Sequence, residues 1–81
     1  MKVPRDLSGR QVATALCKSW GYKEVHQSGS HIILQTEIPS HQRLSIPAHT
    51  SLKVGTLSAI VRQVAAGKGV SRDVVLSSLF L

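Results

Sequence analysis

The sequence predicts an α+β fold, a two-layer sandwich of order α-β-β-β-α with an antiparallel three-stranded sheet and helices on one of its faces. Three observations predict it. Segments near residues 8–20 and 56–66 repeat apolar side chains with the 3.6-residue period of an amphipathic helix. Between them lie three short strand-like runs, separated by connections rich in Gly, Ser and Pro. Two amphipathic helices need one apolar surface to cover, and an antiparallel sheet can leave its other face to solvent. At 81 residues the chain has room for one domain over 1–81, with a core spanning about 7–66 and a short element over 71–80.

The first helix has a well-marked start. Ser8 is placed to cap it, Gln11 supplies the other half of a capping box, and Leu7 and Val12 have the spacing of a hydrophobic staple. Val12, Ala13, Leu16, Cys17 and Trp20 form its stripe, and Gly21 stops it. Tyr22 to Gln27 reads as a strand with mixed faces, and Ser28-Gly29-Ser30 as a hairpin loop. His31 to Thr36 is the second strand, and Glu37 to Gln42, with Pro39, the next connection. Arg43 to Pro47 alternates polar and apolar residues, and Pro47 ends that strand by removing a ladder donor. A basic, polar loop from Ala48 to Gly55 carries His49 and Lys53. Thr56 is then placed to cap a helix with the stripe Leu57, Ile60, Val61, Val64 and Ala65, closed by Gly67-Lys68-Gly69. Ser71 is a further cap candidate, and Val75, Leu76, Leu79 and Phe80 fit either a short helix or a strand.

Charge narrows the class of partner. Ten Lys and Arg against four Asp and Glu leave +6 before any histidine titrates, and the isoelectric point is about 10.3. Such a balance favours a polyanionic partner, either nucleic acid or an acidic protein surface. Aromatic residues are limited to Trp20, Tyr22 and Phe80, too few for a module that reads bases by stacking. Cys17 is the sole cysteine and lies in the helical stripe, so it reads as an inert core thiol, with neither a disulfide nor a zinc site available to it. The start, Met1 to Asp6, lacks the apolar core of a secretory signal, and no apolar run approaches a membrane span. A reducing cytoplasm, no membrane association and no small-molecule cofactor are expected.

The four histidines, His26, His31, His41 and His49, include no pair at helical i, i+4 metal spacing, and no metal site is expected. The four carboxylates, Asp6, Glu24, Glu37 and Asp73, are scattered. Phosphate-loop and nucleophile-elbow motifs are absent. Histidine with nearby cations remains, and that set suits RNA cleavage. A base takes the 2′-OH proton, the oxygen attacks phosphorus, and an acid protonates the leaving 5′-oxygen. His31 begins a strand beside a Gly-Ser turn. If Ile32 and Leu34 face the helices, His31, Ile33 and Gln35 lie on the open face, where an apolar Ile33 suggests a covering partner. The plainer role for His31 is to bond the turn. His26 and His41 read as solvated, and His49 as a brace for the loop.

Two blocks, Trp20 to Leu34 ("WGYKEVHQSGSHIIL") and Leu44 to Val64 ("LSIPAHTSLKVGTLSAIVRQV"), together resemble the HicA, or YcfA-like, family of small bacterial toxins. The likeness runs from about Ser8 to Ser71. It implies a fold like the double-stranded-RNA-binding domain and the activity of a metal-independent mRNA interferase. It also implies a HicB-type antitoxin that covers the active site. His31 matches the catalytic histidine of the family's Gly-Ser-His turn, with Gly29 and Ser30 beside it. The chain departs from the family in its longer connection at Gln35 to Arg43 and in the extra Gly67-Lys68-Gly69. RNA contacts are expected at Gly29 and Ser30, whose turn leaves room for a phosphate beside His31, and at Arg43, Lys53 and Arg62, which are read from charge and position alone. The competing readings are a non-catalytic RNA-binding module of the same fold and a protein-interaction domain.

Overall fold

The computed structural model describes residues 7–79; Asp6 and Phe80 lie outside them. Helix α1 (Gly9–Trp20) is followed by strands β1 (Lys23–Ser28), β2 (His31–Thr36) and β3 (Gln42–Pro47), then helices α2 (Val54–Lys68) and α3 (Arg72–Leu79). The strands form one antiparallel sheet in the order β1-β2-β3. The predicted α+β sandwich is the observed architecture.

The expected capping box is present. Ser8 Oγ accepts from the Gln11 amide at 3.0 Å, and the Gln11 side chain accepts from the Ser8 amide at 2.8 Å. Leu7 and Val12 both pack on the core, as the staple requires. Ile32 and Leu34 of β2 and Leu44 and Ile46 of β3 point to the helices and are buried. They meet Val12, Ala13 and Leu16 of α1 and Leu57, Val61 and Val64 of α2 in one cluster. A fully buried Leu or Ile side chain contributes roughly 1.5–3 kcal/mol through removal from water.

Strand β1 differs from its expected mixed character. Every one of its residues is exposed, because its helix-facing positions are Glu24 and Gln27, both held by the Arg10 side chain of α1. A bulge between Glu24 and His26 interrupts its register, a device that protects edge strands from unwanted pairing.

Helix α2 begins earlier than Thr56. Its N-cap is Lys53, which makes no side-chain capping bond. The cause is tertiary: Leu52 is buried in the core and its amide donates to the Leu7 carbonyl at 2.8 Å, which pins the chain and lets the helix start at once. Residues 72–79 are a helix rather than a strand. Ser71 Oγ accepts from the Val74 amide at 3.3 Å. Val75, Leu76 and Leu79 join the common core, and Trp20 Nε1 donates to Ser78 Oγ at 2.8 Å, tying α3 to α1. Helix α3 packs on α1 and α2, not on the sheet.

The Glu37–His41 connection is clamped from α2. Lys68 Nζ donates to Thr36 Oγ1 at 3.0 Å and to the Ile38 carbonyl, and lies 4.7 Å from the centroid of the buried Tyr22 ring. Burial lowers the Lys68 pKa. The Tyr22 hydroxyl donates to Gln42 at 2.6 Å, and Gln42 Nε2 donates to the Gln63 carbonyl at 2.8 Å. These bonds fix both ends of a connection that includes a cis Ile38–Pro39 bond.

Candidate active site

His31 sits at the mouth of a two-residue hairpin. Ser28 pairs directly with His31, leaving only Gly29 and Ser30 as the loop. Gly29 has φ 56°, whereas no residue other than glycine has a positive φ among the described residues. A positive φ at the first central position alone is the pattern of a type II′ turn, whose twist matches that of the flanking strands. On its other side His31 pairs with Pro47, and the Ser30 carbonyl accepts from the Ala48 amide at 2.6 Å.

The same corner receives the start of α1. The Gly9 amide donates to the His49 carbonyl at 2.9 Å, and helix and strand approach so closely that a Cβ on Gly9 would stand 1.8 Å from the Pro47 carbonyl oxygen. The backbone under His31 is therefore held by β1, β3 and, through Pro47 and Ala48, by α1.

Strand register orders the open face into three rows. Ser28, His31 and Pro47 form one; His26, Ile33 and Ser45 the next; Lys23, Gln35 and Arg43 the last. His31 is exposed, and Ile33 and Gln35 are half-buried. The expected parity of β2 is thus observed. Ile33 is partly covered by its own neighbours, and Val25 and Ile38, at 44% and 77% exposure, add apolar surface farther along. Val25 and Ile38 share a shallow cavity with Lys23, Gln35 and Glu37.

The far row is held by a chain of polar bonds. Arg43 Nε donates to Gln35 Oε1 at 3.0 Å, Gln35 Nε2 donates to Glu37 Oε2 at 2.7 Å, and Glu37 meets His41 Nδ1 at 3.1 Å. The bonds from His41 and Gln35 hold the Glu37 carboxyl below its usual range.

The residues proposed from the sequence are only partly brought together. Gly29, Ser30 and His31 form one corner. Arg43 shares the face with His31 but lies four strand positions along, about 13 Å at the usual rise. Lys53 is exposed at the start of α2, in the loop that follows Pro47. Arg62 is exposed on α2, in the helical layer and away from the open face. Sequence reading missed that His26 lies on the His31 face. The signal existed in the hairpin, but reading it required the loop to be two residues long.

Elsewhere, Cys17 is half-buried and its thiol pKa is raised, chiefly by burial, which keeps it protonated and unreactive. Among the described residues no three His, Cys, Asp or Glu side chains gather as metal ligands, and no helix is long and apolar enough to cross a membrane.

The chain matches the family described as HicA toxin of bacterial toxin-antitoxin over residues 9–65. No curated protein and no solved structure matches it.

Proposed function

The chain belongs to the HicA toxin family of bacterial toxin–antitoxin systems, and on that premise we propose that it is an mRNA interferase, a cytoplasmic endoribonuclease that cleaves messenger RNA through His31 without a metal. The observation that carries this reading is the setting of His31: an exposed imidazole on a solvent-facing sheet, on backbone braced by both neighbouring strands. Histidine exchanges protons near neutral pH, and a ribose supplies its own nucleophile. His31 removes the 2′-OH proton, the 2′-oxygen attacks the adjacent phosphorus, and the bond to the 5′-oxygen breaks. The products are a 2′,3′-cyclic phosphate and a 5′-hydroxyl.

The rest of the surface supports a polyanionic substrate. The tight turn at Gly29 and Ser30 leaves room for a phosphate beside His31. Arg43, aimed by Gln35, continues the track along the sheet. Lys53 adds charge at the start of a helix with no acidic residue in its first turn, where backbone amides favour anions. Arg62 contributes from the helical layer through the general field of a +6 chain.

Membership in a toxin family implies an antitoxin partner. We assign a HicB-type antitoxin to the open face, where it covers His31 together with half-buried Ile33 and the exposed apolar groups Val25 and Ile38.

Induced expression in a bacterial host, with purified protein and RNA in EDTA as the second arm, tests this reading. Wild type should arrest growth and yield cyclic-phosphate ends in EDTA, while His31→Ala should do neither and keep its circular dichroism spectrum. A His31→Ala protein that remains toxic and cleaves at the wild-type rate overturns the reading. Retained RNA binding with no cleavage by wild type marks instead a binding module of the same fold.

A further inference from the structure

The same face carries a second histidine, and the chemistry above needs a second proton-transfer group. We propose that His26 is that group: it protonates the leaving 5′-oxygen while His31 takes the 2′-OH proton, an assignment that rests on the ribonuclease reading. The warrant is register. His26 pairs with Ile33, and Ser28 with His31, so His26 and His31 occupy the diagonal of one four-residue square on the open face. Diagonal neighbours on adjacent strands have Cα atoms about 7–8 Å apart, within reach of long and aromatic side chains. Both histidines are exposed.

That spacing suits an in-line displacement. The attacking and leaving oxygens stand on opposite sides of phosphorus, and each needs its proton-transfer group within about 2.6–3.2 Å. One imidazole cannot serve both sides at once. Two imidazoles on a diagonal, above the Ser28 and Ile33 side chains, can bracket a phosphodiester between them. The step balances. The bond from the 2′-oxygen to phosphorus forms and that to the 5′-oxygen breaks. One proton passes from the 2′-hydroxyl to His31, and another from the His26 imidazolium to the 5′-oxygen. Solvent then restores both rings.

Other groups on or near the face are placed less well. Ser28, Ser45 and Pro47 surround the pair but do not titrate near neutral pH. Lys23 and Arg43 lie in the far row, and Glu37 and His41 are joined to each other beyond it. Glu24 faces the helices and pairs with Arg10. His49 is in the loop after Pro47, off the strand register, with its carbonyl bound to the first amide of α1. Among the described residues, His26 is the one titratable side chain in the rows next to His31 on this face.

Purified His26→Gln, His26→Ala, His31→Ala and His49→Ala are compared on two RNA substrates, one normal and one with sulfur in place of the bridging 5′-oxygen. A thiolate leaves without protonation, so a lost general acid is rescued on this substrate and a lost base is not. On normal RNA both His26 variants should lose about 10²–10⁴-fold in rate, the usual share of general acid catalysis. Their pH–rate profile should lose its alkaline descending limb. On the sulfur substrate they should return to within a few-fold of wild type, while His31→Ala stays inactive. Unimpaired His26 variants, or variants equally slow on both substrates, overturn the assignment, as does rescue seen in His49→Ala instead. A His31→Ala enzyme as fast as wild type on normal RNA overturns the ribonuclease reading itself, an outcome distinct from these.

Discussion

Replacing Gly9 with alanine should damage the corner that supports His31 far more than the size of a methyl group suggests. The added Cβ would lie 1.8 Å from the Pro47 carbonyl oxygen, 2.8 Å from its carbonyl carbon and 3.1 Å from the Ala48 Cα. These are backbone atoms and cannot rotate away. Opening the shortest contact even to 3.0 Å moves helix and strand apart by 1.2 Å. The Gly9 amide donates to the His49 carbonyl at 2.9 Å across this same junction, and a shift of that size along the bond breaks it. Overpacking costs about 1–3 kcal/mol, and a buried amide left without its acceptor costs a further 1–3 kcal/mol. A total of about 2–6 kcal/mol is a large fraction of a stability that, for a domain of this length, is of order 4–12 kcal/mol. Urea unfolding of Gly9→Ala against wild type measures it. Gly55→Ala is the matched control, because that Cβ would meet nothing within 4 Å and should be neutral or stabilising by up to about 1 kcal/mol. Below the denaturation midpoint, Gly9→Ala should also cleave RNA more slowly, since Ala48 carries the bond to Ser30 beside His31. A Gly9→Ala protein within 0.5 kcal/mol of wild type, about the scatter of neutral surface changes, would refute the close-approach reasoning.

Three further outcomes are expected. Gly29→Ala should lose about 1–2 kcal/mol in chemical denaturation, the cost of a left-handed backbone for an L-residue, although no atom obstructs the new Cβ. Lys68→Met should expose the Glu37–His41 connection to limited proteolysis and cost about 1–3 kcal/mol, because two bonds from a charged donor are lost, leaving Thr36 and Ile38 only their longer mutual bonds at 3.3 Å. Acid should weaken the fold through Glu24, whose pKa is lowered first by its hydrogen bond from Arg10. A carboxyl depressed in the folded state stabilises above its unfolded value of about 4.3 and loses that contribution as pH falls through the lower folded value. Melting temperatures measured from pH 5 down to pH 3 should therefore fall less steeply in Glu24→Gln than in wild type. The residual slope should include Glu37, which is shifted the same way by His41 and Gln35.

Much of the architecture was legible because it rests on local rules. The capping box at Ser8 and Gln11 is decided by side chains three residues apart, and the stripes of α1 and α2 follow from helical periodicity alone. The placement of His31, Ile33 and Gln35 opposite Ile32 and Leu34 is a consequence of strand parity. Where local rules were ambiguous or overridden, distant contacts decided. Thr56 had the better capping chemistry, yet α2 starts after Lys53 because Leu52 is bound to Leu7. Residues 72–79 are helical because Val75, Leu76 and Leu79 find the α1–α2 surface, with Trp20 bonded to Ser78.

The candidate site residues divide along the same line. By itself the sequence determined that a basic chain carries a histidine at the start of a strand, on the face turned from the core, because charge and side-chain alternation need no tertiary information. Only the tertiary structure decided which groups share that face. It set His26 on a diagonal from His31, Arg43 two rows away and Arg62 in the other layer. The physical reason is that cross-strand neighbours follow from loop length and register, and register is decided by which side chains the helices bury together.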